Sequence, residues 1–116
     1  MIPQELRQKD PKAAAETEAL LADLWQRHLP TLRERLDVLD NIAAKASLDP
    51  LSDDDRDTGI AISHKFAGSL GMYGYHRASE VAMALEQLFR SNPSPQPDQI
   101  SPLTIELRES VFPTEH

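Results

Sequence analysis

Side chains suited to a core recur at steps of three and four along one stretch: Leu21, Leu24, Trp25, His28, Leu29, Leu32, Leu36, Leu39 and Ala43. That spacing lines one face of an α-helix. A strand, whose faces alternate at every residue, cannot use it. No stretch alternates with period two over a useful length, so strands are not expected. Pro30 falls inside the stripe and removes the helical bond to the carbonyl of Gln26. The stripe keeps its register across Pro30, which predicts one long kinked helix from Lys12 to about Ser47 rather than two separate ones.

The rest of the chain punctuates itself. Ser47-Leu48-Asp49-Pro50 reads as a turn. Ser52 then caps a second helix, with Asp53, Asp54 and Asp55 in its first turn, where the helix dipole favours negative charge. The acid run is therefore read as a solvated cap and not as a cation site, which needs ligands converging from a loop. This helix runs to Met72, and Gly71, Tyr73, Gly74 and Tyr75 mark the next turn. A third helix spans His76 to Ser91, burying Ala78, Val81, Ala82, Leu85, Leu88 and Phe89. A proline-rich linker, Ser91 to Pro97, follows. Ser101 is the expected cap of a last helix, with Pro102 at its first position and Leu103, Leu107 and Val111 on its apolar side. The expectation is an all-α fold: an antiparallel up-down four-helix bundle with a long, Pro-kinked first helix. The bundle occupies residues 12–112, with a flexible lead-in over 1–11 and a tail over 113–116.

Charge and composition narrow the function. The chain has 19 acids against 12 Lys and Arg, a formal net charge of −7. Nucleic-acid backbones and anionic membranes call for clustered cations, so neither is an expected partner. No apolar run approaches the about 18 residues of a membrane span. The opening MIPQELRQKD lacks the apolar stretch of a signal peptide. Cysteine is absent, which removes disulfides and thiolate chemistry and fits a reducing, cytoplasmic setting. The four histidines include no pair at helical spacing, so no metal site is expected. No P-loop and no Ser-His-acid set is present.

The second helix carries the informative residues. On a wheel of about 100° per residue, with Ile60 at zero, Ile62, Phe66 and Leu70 fall at ~200°, ~240° and ~280° and mark the buried centre. His64 falls at ~40°, toward solvent. Gly71 at ~20°, Gly68 at ~80° and Ala61 at ~100° surround it with little or no side chain. Glycine inside a helix costs about 1 kcal/mol relative to alanine, so a bare face beside one histidine calls for a reason. Close approach of another surface to the ring would supply it. A free imidazole, with a pKa of about 6.5, is largely neutral near pH 7 and is a competent nucleophile toward phosphorus.

The run His64-Lys65-Phe66-Ala67-Gly68-Ser69-Leu70-Gly71-Met72-Tyr73-Gly74 resembles the signature of histidine-containing phosphotransfer domains. Those four-helix bundles shuttle phosphoryl groups between receiver-domain aspartates in bacterial phosphorelays. Leu24 to Pro30 and the run Ala78-Ser79-Glu80-Val81-Ala82 are also similar to this family, and the likeness covers about residues 15–112. It implies that His64 is the phosphoryl acceptor, that Gly68 clears space for the partner, and that Ser69 bonds back to the helix. It further implies a docking face including Ala61, Gly68, Gly71 and Met72. The family's common lysine three residues after the histidine is Ala67 here. Lys65 is the nearest cation in sequence and the candidate phosphate contact, with Arg77 a lesser one. The implied role is a phosphoryl carrier rather than an independent enzyme. Its partners would be a response-regulator receiver domain or a hybrid histidine kinase, with the Mg²⁺ held by the receiver and no cofactor on this chain. A monomer is expected. The alternative is a helical interaction module that docks the same partners without phosphoryl transfer. Trp25, Phe66 and Phe89 are expected in the core. Met72, Tyr73 and Tyr75 are expected at the site end of the bundle, in the core or on the docking surface.

Overall fold

A computed structural model describes residues 11–113. Of the lead-in expected over residues 1–11, all but Pro11, which begins the first helix, lies outside the described residues, as do the last residues of the tail, 114–116. Four helices make up the fold: α1 (Pro11–Ala46), α2 (Asp53–Met72), α3 (His76–Ser91) and α4 (Pro97–Val111). Among the described residues there is no strand.

Cross-helix contacts order the bundle. Trp25 and Lys45 of α1 meet Tyr73 and Asp55, at opposite ends of α2. Arg56 of α2 reaches Phe89 and Arg90 of α3, while Ala67 meets Ser79. Arg77 of α3 bonds Glu106 of α4. Arg108 of α4 pairs with Asp37 and Asp40 of α1, and the Arg33 guanidinium lies 4.2 Å over the Phe112 ring. Residues early in α1 oppose the end of α2 and residues late in α1 its start, and α2 and α3 are related in the same way, so each of these two pairs runs antiparallel. Leu32, Leu36, Leu39, Ile42, Phe66, Leu70, Leu85, Phe89, Ile100 and Leu107 fill the centre. Each such side chain contributes about 1.5–3 kcal/mol by leaving water.

α1 runs unbroken through Pro30. Both Pro30 and Gln26 are exposed, so water can take the carbonyl that the proline leaves without a helical donor. The stripe does not bury evenly, which corrects the expectation at Leu24. α1 has 36 residues and the other helices 15 to 20, so its first turns outrun the bundle. Trp25 stacks on Tyr75 with ring centroids 4.7 Å apart, at the bundle end; above it Leu20 and Leu24 are 58% and 41% exposed.

α2 begins as its sequence dictates, with the Ser52 hydroxyl accepting a 3.1 Å bond from the Asp55 amide. Between α2 and α3 the chain reverses through Gly74, whose φ of 91° favours glycine, and the Tyr75 amide closes back on the Leu70 carbonyl at 2.8 Å. α4 departs from expectation. It starts at Pro97 rather than near Ser101, so the linker is shorter and Pro102 lies inside the helix. The cause is a cap that Gln96 and Gln99 build together: the Gln96 amide donates to the Gln99 side chain at 2.9 Å. Pro97 takes the tolerated first position, and the carbonyl freed by Pro102 belongs to exposed Asp98 in the first turn.

Candidate functional site

The buried face of α2 is centred on Gly59, Ser63, Phe66 and Leu70, with Ile62 only half-buried. The centre is therefore turned toward Gly59 and Ser63 relative to the wheel drawn from Ile62, Phe66 and Leu70. Phe89 causes the turn. Its ring fills the space beside Gly59 so closely that a Cβ there would lie 2.8 Å from Phe89 Cε2. The rotation brings His64 to the flank that adjoins α3, still 71% exposed.

On that flank stands Glu86 of α3, which the sequence reading did not single out. His64 Nδ1 lies 3.2 Å from each carboxylate oxygen of Glu86. A carboxylate only accepts hydrogen bonds, so Nδ1 carries the proton and donates it. In the neutral ring the other nitrogen, Nε2, then keeps its lone pair. Arg90, one turn further along α3, donates to Glu86 Oε2 at 2.8 Å. That bond leads the influences that hold the Glu86 carboxyl below its ordinary range; partial desolvation opposes it and the bond from His64 adds to it. The carboxylate thus stays ionised against the imidazole, and Arg90 adds a cation to the cluster.

The small residues around His64 divide. Gly68 is open: a Cβ there would meet nothing within 4 Å. Ala61 and Lys65 are exposed on the same helix. Gly71 is not part of the open face, because a Cβ there would lie 3.2 Å from Ser79 Oγ. Its smallness serves the packing of α3 on α2. Ser69 does not bond back to the helix as expected: its hydroxyl oxygen is buried and without a hydrogen-bond partner. It lines a shallow cleft with Leu24, Arg27, His28, Met72 and Tyr73, where His28 Nε2 is likewise buried and unpartnered. Met72 is 53% exposed at the rim. Tyr73 and Tyr75 are half-buried against Trp25, which itself packs on the edge of the core. Arg77 is engaged elsewhere, by Glu106 and Glu80.

Among the described residues no group of three or more His, Asp or Glu is placed to hold a metal ion. No described helix is long and apolar enough to cross a membrane.

The cluster can therefore present a nucleophilic nitrogen to an incoming group, with a fixed anion behind the ring and open space on one side. No curated protein and no solved structure matches the chain. The sequence pattern of the Hpt domain does match, over residues 23–111, a span that includes α2, α3, α4 and most of α1. Hpt domains carry phosphoryl groups on histidine in phosphorelays, where they interact with receiver domains and kinases. The helical bundle and the match over most of its length lead to one conclusion: this chain belongs to the Hpt domain family.

Proposed function

We propose that His64 Nε2 accepts a phosphoryl group from a receiver-domain aspartyl phosphate and returns it to another. The observation that carries this reading is the bond from His64 Nδ1 to Glu86. In the transfer, the Nε2 lone pair forms the N–P bond while the P–O bond to the aspartate breaks, and the electron pair leaves with the aspartate carboxylate. Nδ1 keeps its proton throughout. The ring becomes cationic on phosphorylation, and Glu86 lies where it stabilises that charge. This is charge compensation set up before the reaction, the arrangement that lowers a barrier without reorganisation.

The open side at Gly68 supports in-line approach, since the reacting atoms must come to roughly 3–3.5 Å. Lys65 carries a long exposed stem on the same helix and can offer its ammonium to a phosphoryl oxygen. Ala67 supplies no such charge, and Arg90 is the cation tied directly to the cluster. The Mg²⁺ that supports this chemistry belongs to the receiver. The chain acts as a carrier and turns over only with its partners.

Incubation with a receiver domain phosphorylated by acetyl phosphate tests the reading. Acid-labile, base-stable phosphate mapping to His64 is the expected result. Stable docking of a receiver with no phosphate on the chain would replace transfer with simple binding.

A further inference from the structure

The His64–Glu86 bond joins two helices, so it depends on how α3 sits against α2. Two other hydrogen bonds bracket it. On one side the Arg56 guanidinium of α2 donates through Nε to the Phe89 carbonyl at 2.7 Å and through Nη2 to the Arg90 carbonyl at 3.2 Å. On the other, the Ser79 hydroxyl of α3 donates to the Ala67 carbonyl at 2.6 Å. Both tie a side chain of one helix to the backbone of the other. A contact between two long side chains can follow a sliding helix by changing rotamers. A contact to backbone cannot follow it so easily.

Arg56 is suited to the task. The Phe89 and Arg90 carbonyls belong to the last turn of α3, where no amide of the helix remains to satisfy them. A guanidinium brings a rigid fork of donors to two such oxygens and adds favourable charge at the negative end of the helix. Glu86 lies in the turn just before. A slip of one residue, about 1.5 Å in height and 100° in direction, would carry its carboxylate away from the imidazole.

Resting on the phosphoryl-transfer reading above, we infer that Arg56 is a positioning residue for the reaction at His64, with Ser79 as its counterpart on the other side. Arg56 acts through the backbone of α3 and never contacts the ring. It holds Glu86 at the height where the carboxylate occupies Nδ1. The ring is thereby confined to the tautomer with its proton on Nδ1, and Nε2 is the nitrogen that reacts.

The test uses phosphoramidate, a small donor that needs no partner protein. The imidazole forms its N–P bond as the donor's P–N bond breaks, and ammonia leaves with its own protons. Phosphorus NMR of the whole chain reads which ring nitrogen holds the group, and a His64→Gln blank subtracts the other histidines. Nitrogen NMR of the unreacted protein reads the tautomer. Wild type is expected to give the Nε2 product alone. Arg56→Met is expected to lose the fixed tautomer, yield some Nδ1 product, and react at Nε2 about tenfold more slowly, short of the about 10²-fold that a 1 Å misplacement can cost. Arg56→Lys, which keeps a donor, is expected to recover most of the Nε2 preference. Glu86→Ala should match Arg56→Met, and combining the two should add nothing, a non-additivity that a merely structural role does not produce. A folded Arg56→Met with wild-type tautomer, product and rate overturns the inference. Should Arg56→Met not fold, Ser79→Ala carries the same test with the same outcomes. Should wild-type His64 take no phosphate, the transfer reading fails, and the tautomer comparison still decides whether Arg56 positions the ring.

Discussion

Glu86 presents both oxygens to His64 Nδ1 at the same 3.2 Å, so the imidazole faces the whole carboxylate rather than one corner of it. The exposed histidine of α2 is thus held by the neighbouring helix.

His64→Gln should abolish phosphate incorporation from a phosphorylated receiver. Its thermal midpoint should stay close to wild type, since substitutions at exposed positions usually change stability by no more than about 0.5 kcal/mol. Radiolabel incorporation and thermal unfolding on the same samples check both halves. Residual acid-labile phosphate would move the acceptor to another histidine.

Two glycines of α2 should respond with opposite signs. Gly68→Ala should stabilise the chain by up to about 1 kcal/mol through helix propensity, because nothing lies within 4 Å of the added methyl. Gly59→Ala should destabilise it by about 1–3 kcal/mol, because its methyl runs into the buried Phe89 ring. Chemical denaturation measures each. Equal signs would refute this assignment of open and packed faces.

Gly68→Gln, unlike Gly68→Ala, should slow transfer from the receiver sharply while leaving phosphorylation by phosphoramidate close to wild type. A long side chain there obstructs a protein partner and not a small donor. Slowing with both donors would place the damage at His64 itself.

Stability should fall as the solution is acidified below about pH 6.5. Burial, with help from the charge of Arg35, lowers the pKa of His28 below its ordinary 6.5. In that window the unfolded chain binds the proton more readily than the folded one, so acid favours unfolding until the folded-state pKa is passed. Above pH 6.5 both states are neutral at this residue and the effect vanishes. Urea midpoints of wild type and His28→Phe between about pH 5 and 8, the range in which an ordinary histidine changes charge, provide the measurement. An unchanged pH slope in the variant would remove His28 as its source.

What sequence could reveal follows from the range of the forces involved. The bounds of α2 and α3 were legible because capping and turn formation act over a few residues: Ser52 on Asp55, and Gly74 at positive φ. The start of α4 was not, because a glutamine pair replaced the usual Ser or Asp cap and made Ser101 the better-looking candidate. The exposure of His64 and the openness at Gly68 followed from helical phase alone. Glu86 and Arg56 did not, since each gains its role from a residue more than twenty positions away across the α2–α3 contact. Gly71 misled for the same reason: seen on one helix it looks bare, and only α3 shows that Ser79 fills the space.

His64 leaves 71% of its side chain in water. On the proposed reading, a phosphoryl group carried there has no lid or cleft among the described residues to shelter it, so hydrolysis and capture by a partner compete from the same open hemisphere. On that reading the duration of a message held on this chain is governed by how soon the next protein arrives, and the molecule would work as a relay runner's open hand rather than as a store.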